Sequence, residues 1–271
     1  MLGSVTLADA LVTCVCSYLS LVGSLLVLTS YFVARTKTMP RTATLILHLA
    51  ASDFMWFSVS AIESTYWLSS DGVVPIGLCF VCNPTMVFMR LVSLLWTCVI
   101  SFNVLMSVQR RKWLWQCDDE SWGIYRRRYY FIILLLALPA TLLGIVKQHS
   151  GGNYNLGCSP EYESLGLWYE VFFPEFLPML VGLLFNIYVY TRVRSRMLQS
   201  AYPHSVRKRR KRIMYHYVLL CIVCWSPTVS AYLIELMGYH TAALEITARL
   251  CLYSSGFLNF LVFGMQVSHH T

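Results

Sequence analysis

The chain has 271 residues, of which 57 % are hydrophobic and only 13 % are charged. Soluble domains usually carry about 25 % charged residues, so this composition excludes a soluble enzyme or a soluble binding domain. The formal net charge of +8 does not indicate a nucleic-acid partner. The basic residues fall in short connectors between apolar runs, and no soluble domain presents them.

Seven apolar runs, each long enough for a membrane helix, follow one another along the chain. They cover about 8–34, 42–68, 79–109, 129–147, 167–191, 213–237 and 243–267. The sequence therefore predicts an all-α membrane protein with a single domain, a bundle of seven transmembrane helices over residues 1–271. The first run is too long for a cleavable signal peptide and no basic segment precedes it, so we expect it to be retained.

The connectors between the spans alternate in charge. The first, third and fifth hold 3, 6 and 9 lysines and arginines, whereas the second, fourth and sixth hold none. Because basic connectors stay on the cytoplasmic side, we expect the N-terminus outside the cell, the C-terminus inside, and a multi-pass protein of the plasma membrane. The basic side chains attract anionic membrane lipids. They are also candidates for contacting a cytoplasmic protein, with Arg110, Arg111, Arg194, Arg196 and Arg209 as the expected contacts.

Three cysteines lie on the expected outer side, where an oxidising environment lets disulfides persist. Cys79 and Cys82 stand at the start of the third span, and Cys158 lies in the connector after the fourth. A bridge between the two regions would fix that connector over the bundle. We favour Cys82–Cys158 and keep Cys79–Cys158 as the alternative, because sequence alone does not decide connectivity.

Asp53 lies in the middle of the second span. An ionisable group at the centre of a membrane helix costs about 2.5–3.5 kcal/mol, so it faces the interior of the bundle. Ser24 in the first span and Asn259 in the seventh are its expected partners in a buried polar site.

The sixth span contains Pro227 close to Trp225. A proline removes one backbone hydrogen bond and kinks the helix. The kink is either a hinge about which one end of the helix swings or a fixed structural feature, and the sequence leaves both interpretations open.

The expected outer halves of the spans hold the remaining charged residues, which are Glu63, Arg90, Glu170, Glu175, Glu235, Glu245 and Arg249. One interpretation is a pocket in which Arg90 and Arg249 attract a small polar or anionic ligand from outside. Its further lining would be Glu175, Trp225, Glu235 and Glu245. The other interpretation is that neighbouring glutamates neutralise both arginines, because a buried charge needs a partner.

Four motifs stand in span order: GSLLV (23–27), LAASD (49–53), CWSP (224–227) and GFLNFLVFG (256–264). Together they resemble the G-protein-coupled receptor superfamily. The resemblance implies an extracellular ligand in the outer half of the bundle and a heterotrimeric G protein at the basic connectors. It also implies an activation switch made of Ser24, Asp53, Trp225, Pro227 and Asn259. A static hydrogen-bond network is the alternative to that switch.

Some positions depart from the rhodopsin-like class. Ser24 stands where that class has Asn, the third span ends in SVQRR (107–111) without an Asp/Glu-Arg-Tyr triplet, and Asn259 is followed by Phe260 rather than Pro. LLWT (94–97) and ISFN (100–103) instead resemble the cyclic-AMP-receptor-like group, which we therefore expect to be the closer one.

Two other classes of membrane protein are disfavoured. The seventh span has no lysine for a retinal Schiff base, and no set of His and acidic residues converges as metal ligands would. We expect neither a cofactor nor an enzyme. A small-solute transporter or channel is the remaining alternative, but polar residues would then mark a route through both halves of the membrane. Here the charges concentrate in one half.

Overall fold

The computed structural model describes residues 7–33, 41–70, 74–109, 119–149, 154–155, 159–160, 176–199, 206–239 and 241–267. Within these ranges the chain forms eight helices and a two-stranded antiparallel pair. The helices are α1 (Leu7–Val33), α2 (Arg41–Ser69), α3 (Ile76–Gln109), α4 (Asp119–His149), α5 (Leu177–Gln199), α6 (Val206–Leu236), α7 (Ala242–Tyr253) and α8 (Ser255–Val267), and the strands are β1 (Tyr154–Asn155) and β2 (Ser159–Pro160).

Helices occupy the predicted spans. Four of them, α1, α2, α3 and α6, are each long and apolar enough to cross a membrane, and α7 with α8 makes a fifth if that bent pair is one span. The prediction of a helical, multi-pass membrane protein is therefore confirmed. α4 begins at Asp119, ten residues before the predicted span, because hydropathy detects the apolar part of a helix and not its charged first turns. Residues 161–175, which include 167–175 of the predicted fifth span, lie outside the described ranges.

The seventh predicted span is broken into two helices. α7 ends at Tyr253, α8 begins at Ser255, and the two axes differ by 42°. Residues 242–267 contain no proline. The cause of the bend therefore lies outside the usual proline mechanism.

α3 runs through the middle of the bundle and packs against α2, α4, α5 and α6. α1 packs against α2, α7 and α8. Two hydrophobic clusters fill the interior, one around Trp96, Ile100 and Tyr217, the other around Trp56 and Trp225. α1 and α4 carry many exposed large apolar side chains on their outer faces, as expected for helices that face lipid.

Glycines bring α1 and α8 into close contact. A Cβ on Gly23 would lie 2.8 Å from the Cα of Phe257, and one on Gly256 would lie 2.9 Å from the Cβ of Ser20. Small residues allow such approaches between membrane helices. α1 is therefore pressed against the break between α7 and α8.

Two groups of three arginines share one end of the bundle. Arg126, Arg127 and Arg128 lie in the first turns of α4, and Arg192, Arg194 and Arg196 lie near the end of α5. We name this the basic end. The rings of Tyr190 and Tyr215 stack at 4.7 Å and join α5 to α6 there.

Candidate functional site

The carboxylate of Asp53 is the centre of a buried polar network. Asp53 is 1 % exposed. Its Oδ1 accepts a hydrogen bond of 2.5 Å from Ser93 Oγ of α3, and its Oδ2 accepts one of 2.9 Å from Asn259 Nδ2 of α8. A buried polar group is costly without such partners. Asp53 therefore holds α2, α3 and α8 together.

A fourth helix reaches the network through Tyr217 of α6. Its hydroxyl donates a hydrogen bond of 3.4 Å to the backbone carbonyl of Asn259, and the side chain is fully buried. We name Asp53, Ser93, Tyr217 and Asn259 the Asp53 network.

The structure brings Asn259 to Asp53, but it does not give Ser24 the contact that the sequence predicted. The Ser24 hydroxyl is buried and has no hydrogen-bond partner among the described residues. It lines a cavity of about 10 Å³ together with Asp53, Gly256 and Asn259. That is close to the volume that one water molecule needs. Ser24 and Asp53 therefore lie on opposite sides of this cavity, and Ser93 makes the hydrogen bond to Asp53 that was expected from Ser24.

An aromatic cluster lies next to the network. Trp225 is buried, and its ring centroid is 6.3 Å from that of Trp56. The Trp56 ring in turn lies 6.0 Å from that of Tyr253. α6 continues through Pro227 to Leu236. Trp225, which lies two residues before Pro227, is thus packed between helices.

A group of charged side chains lies beyond the aromatic cluster. Glu63 of α2 is buried and interacts electrostatically with Arg249 of α7. Tyr253 lies within electrostatic range of Arg249, Arg90 and Glu63, and its hydroxyl is beside Ser60. We name Glu63, Arg90, Arg249 and Tyr253 the charged cluster. Arg90 and Arg249 thus share one environment.

The other predicted ligand residues are distributed differently. Glu245 lies in the first turn of α7, one turn before Arg249, and is half-buried. Glu235 is exposed near the end of α6. Glu175 lies outside the described residues.

The face of α2 that meets the seventh span holds Asp53, Trp56, Ser60 and Glu63. These residues follow one another at intervals of three, four and three, which places them on one side of a helix. Asp53 contacts Asn259, Trp56 contacts Tyr253, and Glu63 interacts with Arg249. From the sequence, Asp53 was assigned a role and Glu63 was one of the glutamates that could neutralise the arginines. Trp56 and Ser60 were not singled out, although the helical spacing was a signal that could have identified them.

The basic end contains two of the predicted partner contacts, Arg194 and Arg196, which are exposed on α5. The Arg192 guanidinium lies 5.5 Å from the ring centre of Tyr188, a distance typical of a cation–π contact. Arg209 belongs to the helical backbone of α6, and Arg110 and Arg111 lie outside the described residues.

The disulfide prediction needs a correction. Cys79 is disulfide-bonded, whereas Cys82 is a free, buried thiol. Cys82 lies within electrostatic range of Glu63, so it faces α2 inside the bundle. The favoured bridge through Cys82 is therefore wrong, and the cysteine of the alternative is the bonded one. The partner of Cys79 lies outside the described residues, as does Cys158.

Comparison with known proteins gives a match to one family model, whereas no curated protein matches the chain. The family model described as seven-transmembrane receptor (rhodopsin family) matches residues 23–262. This range contains both the Asp53 network and the charged cluster. The closer resemblance to the cyclic-AMP-receptor-like group stays a prediction. Since the match extends over most of the chain, the protein belongs to the rhodopsin family of seven-transmembrane, G-protein-coupled receptors.

Proposed function

We propose that the protein is a plasma-membrane receptor that binds a small polar ligand between the outer halves of its helices and signals to a heterotrimeric G protein. Family membership supports a receptor that couples to a G protein, since receptors of this family generally couple to heterotrimeric G proteins and are generally not enzymes. In this proposal the basic end faces the cytoplasm, because basic connectors remain on that side, and the N-terminus lies outside.

One observation carries the proposal: α2 contacts the seventh span from Glu63 to Asp53 along a single face. The charged cluster lies at one end of this contact and the Asp53 network at the other. A ligand that changes the charges around Arg249 therefore acts on the same pair of helices that holds Asp53. A switch requires a contact that can take two arrangements, and in this proposal it is the contact between α2 and the seventh span.

Arg90 and Arg249 supply the chemistry for the ligand. Two guanidinium groups in one cluster favour a ligand with a carboxylate or a phosphate. Glu175, Glu235 and Glu245 complete the proposed lining as contacts for hydroxyl or amine groups of the ligand, because carboxylates repel its anionic group. Trp225 packs against Trp56 below this lining. The cyclic-AMP-receptor-like resemblance makes a cyclic nucleotide, which has one phosphate, the first probe to test.

Ion pairing between Glu63 and the arginines is the competing interpretation, and variants separate the two. If the arginines bind ligand, R90Q and R249Q lose the response at normal yield of folded protein. If they serve as ion pairs, the yield falls, and the double variant E63Q/R249Q recovers the part lost in R249Q, because neutralising both members of this pair leaves neither charge buried without the other.

Signalling in this proposal uses the Asp53 network as its switch, with Ser24 beside it and Trp225 and Pro227 as the hinge of α6. The hydroxyl of Tyr217 joins α6 to the network. A swing of α6 moves its basic N-terminal half, which contains Arg209. The G protein would contact this half together with Arg110, Arg111, Arg194 and Arg196.

The test uses purified protein in lipid nanodiscs with each class of heterotrimeric G protein. Nucleotide exchange on the α subunit is measured with cyclic AMP and with a panel of small carboxylates and phosphate monoesters. We expect exchange above that of empty nanodiscs and a several-fold loss in R194E/R196E. R127E, an exposed arginine of α4 outside the proposed contact, is the matched control.

Exchange equal to that of empty nanodiscs for every G protein and every probe would overturn the proposal. Flux of one of these solutes across proteoliposomes made from the same preparation would then establish the transporter alternative.

A further inference from the structure

The hydroxyl of Ser20 in α1 stands between two backbone groups of the seventh span. It donates a hydrogen bond of 2.5 Å to the carbonyl of Tyr253 and accepts one of 3.2 Å from the N–H of Phe257. Tyr253 and Phe257 are four residues apart, so in an uninterrupted α-helix this carbonyl and this N–H would bond to each other.

The ladder bonds on either side of this turn are present. Ser254 N–H donates to the Leu250 carbonyl at 3.1 Å, and Leu258 N–H donates to the Ser254 carbonyl at 3.0 Å. The opening therefore lies between these two bonds, at the turn that Ser20 enters. A side chain inserted into the helical ladder is one of the recognised causes of a sharp kink. It accounts for the 42° bend between α7 and α8 in a span without proline.

The glycines at this place let the serine reach the backbone. A Cβ on Gly256 would lie 2.9 Å from the Ser20 Cβ and 2.6 Å from Cε2 of Phe57. With any larger residue at Gly256, α8 would be pushed off α1 and the hydroxyl withdrawn from the turn. Gly23 lies one turn further along α1, and a Cβ added there would lie 2.8 Å from the Cα of Phe257.

The bend decides where two side chains of the seventh span point. Tyr253 belongs to the charged cluster and Asn259 belongs to the Asp53 network, and both contact the same face of α2. In a continuous helix, residues six apart point about 120° away from each other. The break between them removes that constraint and lets both side chains meet α2.

We propose that Ser20 is a positioning residue, which acts as a wedge in the seventh span and sets Asn259 on Asp53 while Tyr253 stays in the charged cluster. Its importance for signalling rests on the proposed function above. The wedge itself does not, so it is tested by measurements that need neither ligand nor G protein.

The first measurement is hydrogen–deuterium exchange of the peptide that covers residues 253–260, in detergent micelles. S20A takes away the group that both backbone atoms contact. We expect exchange in this segment to become about tenfold faster, while S20T, which keeps the hydroxyl, stays near wild type. The matched control is T13V, because Thr13 is also a buried hydroxyl of α1 and has no hydrogen-bond partner among the described residues.

The second measurement is a double-mutant cycle on the thermal unfolding midpoint with S20A and N259A. If Ser20 acts by placing Asn259, the loss in the double variant is smaller than the sum of the single losses, because coupled residues are not additive. Full additivity, or exchange of residues 253–260 in S20A equal to that in T13V, would overturn the proposal.

A second variant keeps the test decisive if S20A does not fold. Proline at 257 has no N–H and opens the same turn by its own geometry. We expect S20A/F257P to recover folded protein where S20A loses it. If T13V folds and neither S20A nor S20A/F257P does, the serine has a role other than the wedge and the proposal fails.

Discussion

Tyr217 donates its hydroxyl to the backbone carbonyl of Asn259, the residue whose side chain holds Asp53. α6 is thus joined to the Asp53 network by a single bond of 3.4 Å. A bond of this length lies beyond the usual range of hydrogen-bond distances and is correspondingly weak. An outward movement of α6 can therefore break it at small cost while Asp53 keeps both of its partners, Ser93 and Asn259.

Y217F tests that weakness. We expect it to lower the free energy of unfolding by about 1 kcal/mol or less, the range for a single neutral hydrogen bond, and to raise ligand-independent nucleotide exchange on the G protein. Y18F is the control, since the Tyr18 hydroxyl bonds Thr65 between α1 and α2 at 3.0 Å. A loss of several kcal/mol in Y217F, or equal activation in Y18F, would contradict this account.

Exchanging the two side chains tests the pairing of Asp53 with Asn259. D53N replaces one of the two carboxylate oxygens that accept from Ser93 and Asn259 by an N–H₂ group, so the network loses one acceptor and the charge, and about 1–3 kcal/mol of stability is lost. In D53N/N259D the pair again contains one carboxylate acceptor and one amide donor. We expect the double variant to recover part of the loss in unfolding by detergent titration. A double variant no more stable than D53N would show that the two residues do not depend on each other.

Alanine substitutions at two glycines of α8 are expected to have opposite effects on stability. G256A would put a Cβ 2.6 Å from Phe57 Cε2, and overpacking of this kind typically costs about 1–3 kcal/mol. At Gly264 a Cβ meets nothing within 4 Å, so G264A is expected to be neutral or to stabilise the helix by up to about 1 kcal/mol. Thermal midpoints of the two variants check this. Equal midpoints would mean that α8 does not approach α1 and α2 closely.

Thiol alkylation under denaturing, non-reducing conditions distinguishes Cys79 from Cys82. C82A removes a free thiol, so the intact mass should show one alkylated cysteine fewer than wild type. C79A releases the partner of the bridge, so it should show one more. The reverse pattern would assign the bridge to Cys82.

The fold was largely predictable because hydropathy is a local property. Each membrane helix has to be apolar over most of its own length, so the runs in the sequence identify the helices within a few residues at most ends. The start of α4 was missed because charged residues extend the helix beyond its apolar part. The break at Ser254 was missed because its cause, Ser20, lies in another helix and leaves no signal in residues 242–267.

The site was only partly predictable. Asp53 was identified because a buried carboxylate in a membrane span is costly, and Asn259 was one of the few amides available to it. Whether Ser24 or Ser93 completes the site depends on helix rotation, which sequence does not fix. The choice between Cys79 and Cys82 also depends on the rotation of α3, since residues three apart on a helix point about 60° away from each other.

The wedge also joins parts of the chain that are synthesised at different times. Ser20 lies in α1, and the carbonyl that it binds belongs to Tyr253 of α7, 233 residues later. N-terminal parts of a chain fold first during synthesis. The bend is therefore completed only when α7 and α8 meet a helix that was inserted earlier, and a chain that stops short of Phe257 leaves the hydroxyl of Ser20 without the turn it enters.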